Sequence, residues 1–138
     1  MNHYMYDEIP IGHTETFAAE ITADMVEGFS RMTGDSNPLH TDAAFAGAAG
    51  FDGKPVYGML TAALMSTLAG VYLPGENSLI HKAEAEFPAP VYVGDTLALT
   101  GVVVRKDDNF KTIELKVTAK NGEGKKVLRG RMRVGVLK

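Results

Sequence analysis

A carboxylate and an imidazole lie five residues apart in the polar segment Thr33–His40, which reads TGDSNPLH. Because a histidine has an unperturbed pKa of about 6.5, His40 can exchange a proton with water near neutral pH. Asp35 can accept hydrogen bonds and orient that water, and burial would raise its basicity. The two residue types at this spacing therefore predict acid–base chemistry on a bound water molecule.

The same segment is predicted to be a rigid turn between two helices. Gly34 favours the left-handed conformation that ends a helix, and the residue before Pro38 is pushed out of the α region. Asp35 and Asn37 are also residue types that favour turns. The spacing alone leaves a second interpretation open, in which Asp35 caps the turn, His40 packs at the next helix start, and neither takes part in catalysis.

Helical patterns flank this turn. Thr22 is predicted to cap a helix that ends at Gly34. Its apolar residues share one side: Met25, Val26, Phe29 and Met32. Asp42 is predicted to cap a short alanine-rich helix through Ala49. A long helix starts near Gly58, and its apolar residues occupy almost every face, so we expect it to be buried nearly all round.

Strand patterns dominate the rest of the chain. A first strand is predicted over Thr14–Ile21, and in the later part of the chain apolar and polar residues alternate with a period of two. Four strands fit this later part: Leu79–Phe87, Thr96–Arg105, Lys111–Lys120 and Lys125–Val136. The pattern predicts an α+β fold in which a mostly antiparallel sheet packs against one apolar helix.

Composition limits the classes of function. The 138 residues fit a single domain over 1–138, with 45% apolar and 22% charged residues, typical of a folded globular protein. The net charge of −3 and the lack of a lysine or arginine cluster argue against a nucleic-acid partner. The start of the chain lacks a secretory pattern, and Val56–Leu73 is too interrupted to span a membrane. With no cysteine, a cytoplasmic location is expected.

Common cofactor motifs are missing from the sequence. His3, His13 and His81 lie in separate segments without the spacings of zinc ligands, so no metal site is predicted. The chain also has no G-x-S-x-G, phosphate-binding loop or G-x-G-x-x-G motif. These absences remove the usual sequence grounds for a serine hydrolase, for nucleotide-phosphate binding and for dinucleotide use, and no cofactor is predicted.

The turn resembles the hydratase signature of MaoC-like proteins, G-D-x-N-P-[LIV]-H-x-D. Seven positions match it: Gly34, Asp35, Asn37, Pro38, Leu39, His40 and Asp42. A second block, F-x-x-P followed by H-G-M-L, is similar to Phe51, Lys54–Val56 and Gly58–Leu60. A third, P-V-x-x-G-D, is similar to Pro88, Val91 and Gly94–Asp95, so the resemblance extends over nearly the whole chain.

The resemblance implies a hotdog fold, in which an antiparallel sheet wraps around a long central helix. It implies (R)-specific hydration of trans-2-enoyl-CoA to (R)-3-hydroxyacyl-CoA, with Asp35 and His40 as the catalytic pair and coenzyme A present as the substrate thioester. The Gly58 N–H would hold the thioester oxygen, because a helix N-terminus offers unpaired donors to developing negative charge. The remaining predicted substrate-binding residues are Asn37, Met59 and Ser66.

Ser66 matches a serine that lines the pocket in the family, but a helical hydroxyl bonded one turn back is an equally good interpretation. In one departure from the family pattern, Tyr57 stands where a histidine usually precedes Gly58. The family also implies a homodimer with subunits paired edge to edge and the acyl-CoA bound near the interface.

Rival functions remain open from the sequence. They are dehydration of (R)-3-hydroxyacyl groups on acyl carrier protein, a thioester-binding module without catalysis, and a hotdog thioesterase. Arg129, Arg131 and Arg133 project from one strand face. They fit a solvated surface, contact with coenzyme A phosphates, or contact with a second subunit.

Overall fold

A computed structural model describes all residues, 1–138. The chain forms one five-stranded antiparallel sheet, in the order β1-β3-β4-β5-β2. The strands are β1 (Thr14–Glu20), β2 (Ser78–Glu86), β3 (Thr96–Asp107), β4 (Thr112–Lys120) and β5 (Lys126–Val136). The predicted strands therefore all form, with ends shifted by one or two residues.

Four helices lie between β1 and β2 in the sequence. They are α1 (Ala23–Thr33), α2 (Pro38–Thr41), α3 (Ala43–Ala48) and α4 (Gly58–Thr67). A 3-10 turn at Tyr6–Glu8 precedes β1, and a π-helical turn at Leu68–Tyr72 continues α4. This content confirms the α+β prediction.

The predicted helix ends follow from local capping. The Thr22 side chain accepts a hydrogen bond from the Met25 N–H, and the Asp42 side chain accepts two from the start of α3. Gly34 ends α1 with φ of 76°, a left-handed conformation that favours glycine. On α1, Met25, Val26 and Phe29 pack against the core, whereas Met32 at the end of the helix is exposed.

The core lies between α4 and the inner face of the sheet. It joins the centre of the helix to the middle strands through Leu60, Met65, Leu99, Leu115 and Met132, each buried. Gly101 and Gly130 face the helix, because a Cβ on Gly101 would lie 2.9 Å from Leu68 and one on Gly130 would lie 3.0 Å from Met65. The sheet therefore needs small residues where the helix approaches it most closely.

The prediction that the long helix is buried nearly all round is wrong for this chain. Met59 is 64% exposed, and Ala63 and Ser66 on the same side of α4 are also exposed. That side faces β2, and eight of the nine residues of β2 are themselves exposed. An open cavity lies between this side of the helix and β2, which an apolar pattern alone cannot reveal. No helix of the chain is both long and apolar enough to cross a membrane.

Candidate active site

The two residues predicted to handle water line one cavity. Asp35 and His40 border a space of about 890 Å³ together with Gly58 and Met59 at the start of α4. The opposite wall comes from the inner face of β2 and the residue after it, through Ala83, Ala85 and Phe87. An acid, an imidazole and a helix N-terminus therefore surround a single cavity with a mostly apolar lining.

The turn that carries Asp35 is held by hydrogen bonds to its backbone. Asp35 Oδ1 accepts a bond of 3.0 Å from the Asn37 N–H, and the Asp35 carbonyl accepts one of 2.9 Å from the Ser30 hydroxyl. The Tyr57 hydroxyl donates a second bond of 2.7 Å to the same carbonyl. Asp35 itself is exposed, so its orientation depends on these local bonds rather than on burial.

The His40 ring is fixed in one orientation. Its Nδ1 lies 2.7 Å from the carbonyl oxygen of Pro55. Because a carbonyl can only accept, Nδ1 carries the hydrogen, and the neutral ring has Nε2 free to accept a proton. His40 is half-buried, and its ring centroid lies 4.2 Å from that of Tyr57. The geometry suits a general base with one reactive nitrogen.

The start of α4 supplies hydrogen-bond donors to the cavity. No side chain caps this end, and the amides of Gly58 and Met59 precede the Leu60 N–H, which bonds to the Tyr57 carbonyl. The first amides of a helix lack partners within it, and the helix dipole favours negative charge there. A Cβ on Gly58 would lie 3.4 Å from the Phe87 ring, so a larger residue here would narrow the cavity beside these amides.

Two other predicted site residues lie outside the lining of this cavity. The Asn37 side chain caps α2 by accepting a bond of 3.0 Å from the Leu39 N–H. Ser66 is exposed further along α4, on the same side as Met59. Contact of either residue with substrate stays a prediction.

Sequence reasoning missed the part of the wall that comes from β2. Phe87 faces Gly58, although 29 residues separate them in sequence. At the rim, a hydrogen bond from Lys82 lowers the pKa of Glu84, which keeps its carboxylate ionised. No short motif marks these residues, because strand pairing alone brings them to the cavity.

The three arginines of β5 lie on the other face of the sheet. Gly130 faces α4, so Arg129 and Arg131 must point outward in the alternating pattern of a strand. They lie 3.7 Å from Glu86 and 3.3 Å from Glu114, respectively, and the side chains of both arginines and of Glu86 are more than half exposed, whereas Glu114 is partly buried. The structure favours the solvated-surface interpretation. No group of three His, Asp or Glu side chains is close enough to hold a metal ion.

Comparison with known proteins gives a consistent family. Residues 10–125 match the family model described as MaoC like domain. The (R)-specific enoyl-CoA hydratase of Aeromonas caviae is 33% identical over 116 residues, covering 83% of this chain and 87% of the relative. The mitochondrial 3-hydroxyacyl-[acyl-carrier-protein] dehydratase FERN of Solanum lycopersicum is 32% identical over 124 residues, covering 88% and 74%.

A further relative and a solved structure extend the comparison. The 3-hydroxybutyryl-CoA dehydratase of Methylorubrum extorquens is 36% identical over 90 residues, which is 65% of this chain but only 57% of the relative. The solved structure of an (R)-hydratase from A. caviae superposes with a TM-score of 0.87 at 30% identity, covering 93% of this chain and 97% of the other.

Proposed function

Because the chain belongs to the MaoC-like family of hotdog-fold hydro-lyases, we propose that it hydrates trans-2-enoyl-CoA reversibly to (R)-3-hydroxyacyl-CoA. The observation that carries the proposal is the single cavity bordered by Asp35, His40 and Gly58. Relatives named as hydratases and dehydratases support the reaction class, and the A. caviae relative supports the (R) stereochemistry. The reaction uses no cofactor, since coenzyme A is part of the substrate.

The chemistry is the addition of water across a polarised double bond. His40 Nε2 accepts a proton while the water oxygen bonds to the β-carbon, and Asp35 orients that water. The π electrons of the double bond move to the thioester oxygen as an enolate. Return of the proton to the α-carbon restores the carbonyl, so one water molecule is added in total.

Stabilisation of the enolate falls to the start of α4. Negative charge develops on the thioester oxygen in the transition state. Hydrogen-bond donors placed for that charged oxygen lower the activation barrier more than they strengthen substrate binding. The Gly58 amide sits at the helix end that lines the cavity, and the dipole adds to its effect. Loss of one such donor in other enzymes costs about 10²–10³ in kcat.

A second copy of the chain completes the site in this proposal. The exposed inner face of β2 and the exposed side of α4 lie against the cavity, which leaves the substrate open to water in one chain. Exclusion of water strengthens the electrostatic interactions on which the reaction depends. Pairing of two β2 edges covers this region and satisfies their free backbone groups.

Dehydration of (R)-3-hydroxyacyl groups on acyl carrier protein is the alternative that a specific observation favours. The tomato relative named for that activity covers 88% of the chain. Both reactions use the same acid–base pair and differ only in direction and in the carrier of the thioester. The identity of the carrier is therefore the quantity to measure.

The test is a substrate series followed by analysis of product stereochemistry. Purified protein is mixed with enoyl-CoA thioesters from four carbons upward, and loss of absorbance by the conjugated enoyl thioester is recorded. The same acyl groups are then presented on acyl carrier protein. We expect faster hydration of the coenzyme A substrates and a product of (R) configuration.

Three results would contradict the proposal in different ways. Faster turnover on acyl carrier protein would favour the dehydratase. Release of free thiol would indicate a thioesterase. Thioester binding without turnover on either carrier would indicate a module that has lost catalysis.

A further inference from the structure

The residue before Gly58 contacts both members of the acid–base pair. We propose that Tyr57 is a positioning residue for hydration, whose hydroxyl fixes the backbone of Asp35 while its ring supports the imidazole of His40. This inference rests on the function proposed above. It gives a role to the position at which the chain departs from the usual family histidine.

The hydroxyl joins two segments that are distant in sequence. Tyr57 is only 2% exposed, and its phenol donates a hydrogen bond of 2.7 Å to the carbonyl of Asp35, 22 residues earlier. Ser30 at the end of α1 donates to the same oxygen at 2.9 Å. One carbonyl is therefore held from two sides, which limits rotation of the peptide that carries the Asp35 side chain.

The ring of Tyr57 restrains the other member of the pair. It is tilted by 38° against His40 with centroids 4.2 Å apart, and by 38° against Phe29 with centroids 4.8 Å apart. Such tilted aromatic contacts are favourable beyond the area they bury. Since the Pro55 carbonyl holds Nδ1, the imidazole is restrained both along its edge and on its face.

The exposure of the turn makes this support necessary. Every residue from Thr33 to Pro38 is exposed, so core packing does little to hold the turn in place. A buried tyrosine with one hydrogen bond is common in protein cores and needs no functional explanation. Tyr57 differs because its single bond ends on the candidate catalytic turn and its peptide leads directly into Gly58. Displacement of this side chain would move the acid, the base and the amide donor together.

The test compares two buried tyrosines, each of which loses its hydroxyl group when it is replaced by phenylalanine. Tyr57→Phe removes the bond to Asp35, and Tyr6→Phe removes a bond of 2.8 Å to Asp108, which lies outside the cavity lining. We expect Tyr57→Phe to lower kcat about tenfold with KM changed less than about twofold, because small misplacements of reacting groups are costly. Tyr6→Phe should lower the melting temperature by a similar amount and leave kcat unchanged.

A third variant separates the ring from the hydroxyl. Tyr57→Leu also removes the contact with His40, and we expect kcat to fall by about a hundredfold. Circular dichroism of each variant establishes that it is folded. If Tyr57→Phe keeps the kcat of the parent protein while its melting temperature falls as in Tyr6→Phe, the side chain only packs, and the positioning role is wrong.

Hydrogen exchange provides a measurement that does not depend on turnover. The backbone amides of residues 34–41 other than Pro38 should exchange about tenfold faster in Tyr57→Phe than in the parent protein, because the turn opens locally, and should be unchanged in Tyr6→Phe. Should the parent protein be inactive on every thioester, the proposed hydration fails, yet faster exchange would still show that Tyr57 holds the turn. Unchanged exchange would overturn the role in either case.

Discussion

The two edge strands of the sheet, β1 and β2, differ in how much of their surface the rest of the chain covers. In β1 the residues alternate between exposed and covered, as expected for an edge with one face on the core. In β2 eight of nine residues are exposed, so both of its faces are open. The chain therefore covers one face of β1, whereas it leaves both faces of β2 open beside the candidate site.

One face of β1 is covered by neighbouring segments. The Tyr4 hydroxyl donates a bond of 2.8 Å to Glu15, and the Tyr72 ring stacks on Phe17 with centroids 4.8 Å apart. Nothing comparable covers β2, where Leu79 is 51% exposed. Open edges favour pairing with other chains, and proteins usually block them. Under the proposal that a second copy completes the site, β2 is therefore the edge at which that copy would pair.

The largest predicted effect separates two imidazole–carboxylate pairs, one near each edge. His13 lies 3.1 Å from Glu15 on β1, whereas His40 and Asp35 share the cavity beside β2. His40→Gln and Asp35→Asn should each lower kcat at least about a hundredfold, the scale of general acid–base catalysis. Initial rates of hydration under saturating substrate measure this loss.

His13→Gln is the matched control for that experiment. It removes an imidazole that faces a carboxylate outside the lining of the candidate cavity, so turnover should stay at the level of the parent protein. If His13→Gln were as damaging as His40→Gln, the loss would reflect folding rather than chemistry. If His40→Gln were fully active, the reaction would not take place in this cavity.

The second prediction concerns the edges themselves. Two lysines placed at Leu79 and Ile80 should prevent pairing of β2, because a charged edge resists the approach of another strand. We expect the mass in solution to fall from two copies to one and the turnover to fall about tenfold as the cavity opens to water. Sedimentation and initial rates are measured at the same protein concentration.

Ala18→Lys on β1 is the control for this pair of substitutions. Ala18 is exposed on β1 and lies outside the lining of the candidate cavity, so association and turnover should stay unchanged. A protein that is monomeric and fully active from the outset would contradict the proposed role of a second copy.

Local signals made much of the fold predictable from the sequence. Thr22, Gly34 and Asp42 end or start helices through contacts with near neighbours, and all three were identified. The burial of α4 was predicted wrongly, because an apolar helix face does not reveal whether the same chain covers it. Composition could not show that β2 would leave one side of this helix open.

The candidate site, like the fold, could be predicted only in part from the sequence. Asp35 and His40 belong to a single short motif, so the sequence could place them in one turn. The contacts that orient them, from Pro55 to His40 and from Tyr57 to Asp35, span 15 and 22 residues. Such contacts depend on how separate segments meet, and no spacing rule specifies them.

A smaller effect is expected from two glycines on the inner side of the fold. Gly58→Ala keeps the amide but brings a methyl group to 3.4 Å from the Phe87 ring, which narrows the cavity at the donor. We expect kcat/KM to fall about fivefold with little loss of stability, since binding geometry is tight near a reacting carbonyl. Steady-state kinetics and thermal unfolding give the two quantities.

Gly101 on β3 gives the opposite pattern. A Cβ there would lie 2.9 Å from Leu68 in the closed core, so Gly101→Ala should lower the melting temperature through overpacking. The folded fraction should retain its kinetics. If Gly58→Ala and Gly101→Ala lowered kcat/KM equally, the loss in Gly58→Ala would not be specific to the cavity on the open side of α4.

The smallest expected effect is a loss of stability at alkaline pH that comes from Tyr6. This residue belongs to the buried core and lies outside the lining of the cavity. Burial, followed by the hydrogen bond to Asp108, raises the pKa of Tyr6 to about 12 from its ordinary value of 10.0. The folded state therefore holds the phenol proton more tightly than the unfolded state. Its stabilising contribution is complete below pH 10 and is lost as the pH rises through 12.

Urea unfolding of the parent protein and of Tyr6→Phe between pH 9 and pH 12 isolates this contribution, with the pH range set by the two pKa values of Tyr6. Phenylalanine keeps the ring over which Lys106 and Lys111 lie, so titration of these lysines affects both proteins alike. The stability advantage of the parent over the variant should shrink with rising pH. An advantage that stays constant would mean that the phenol titrates equally in the folded and unfolded chains.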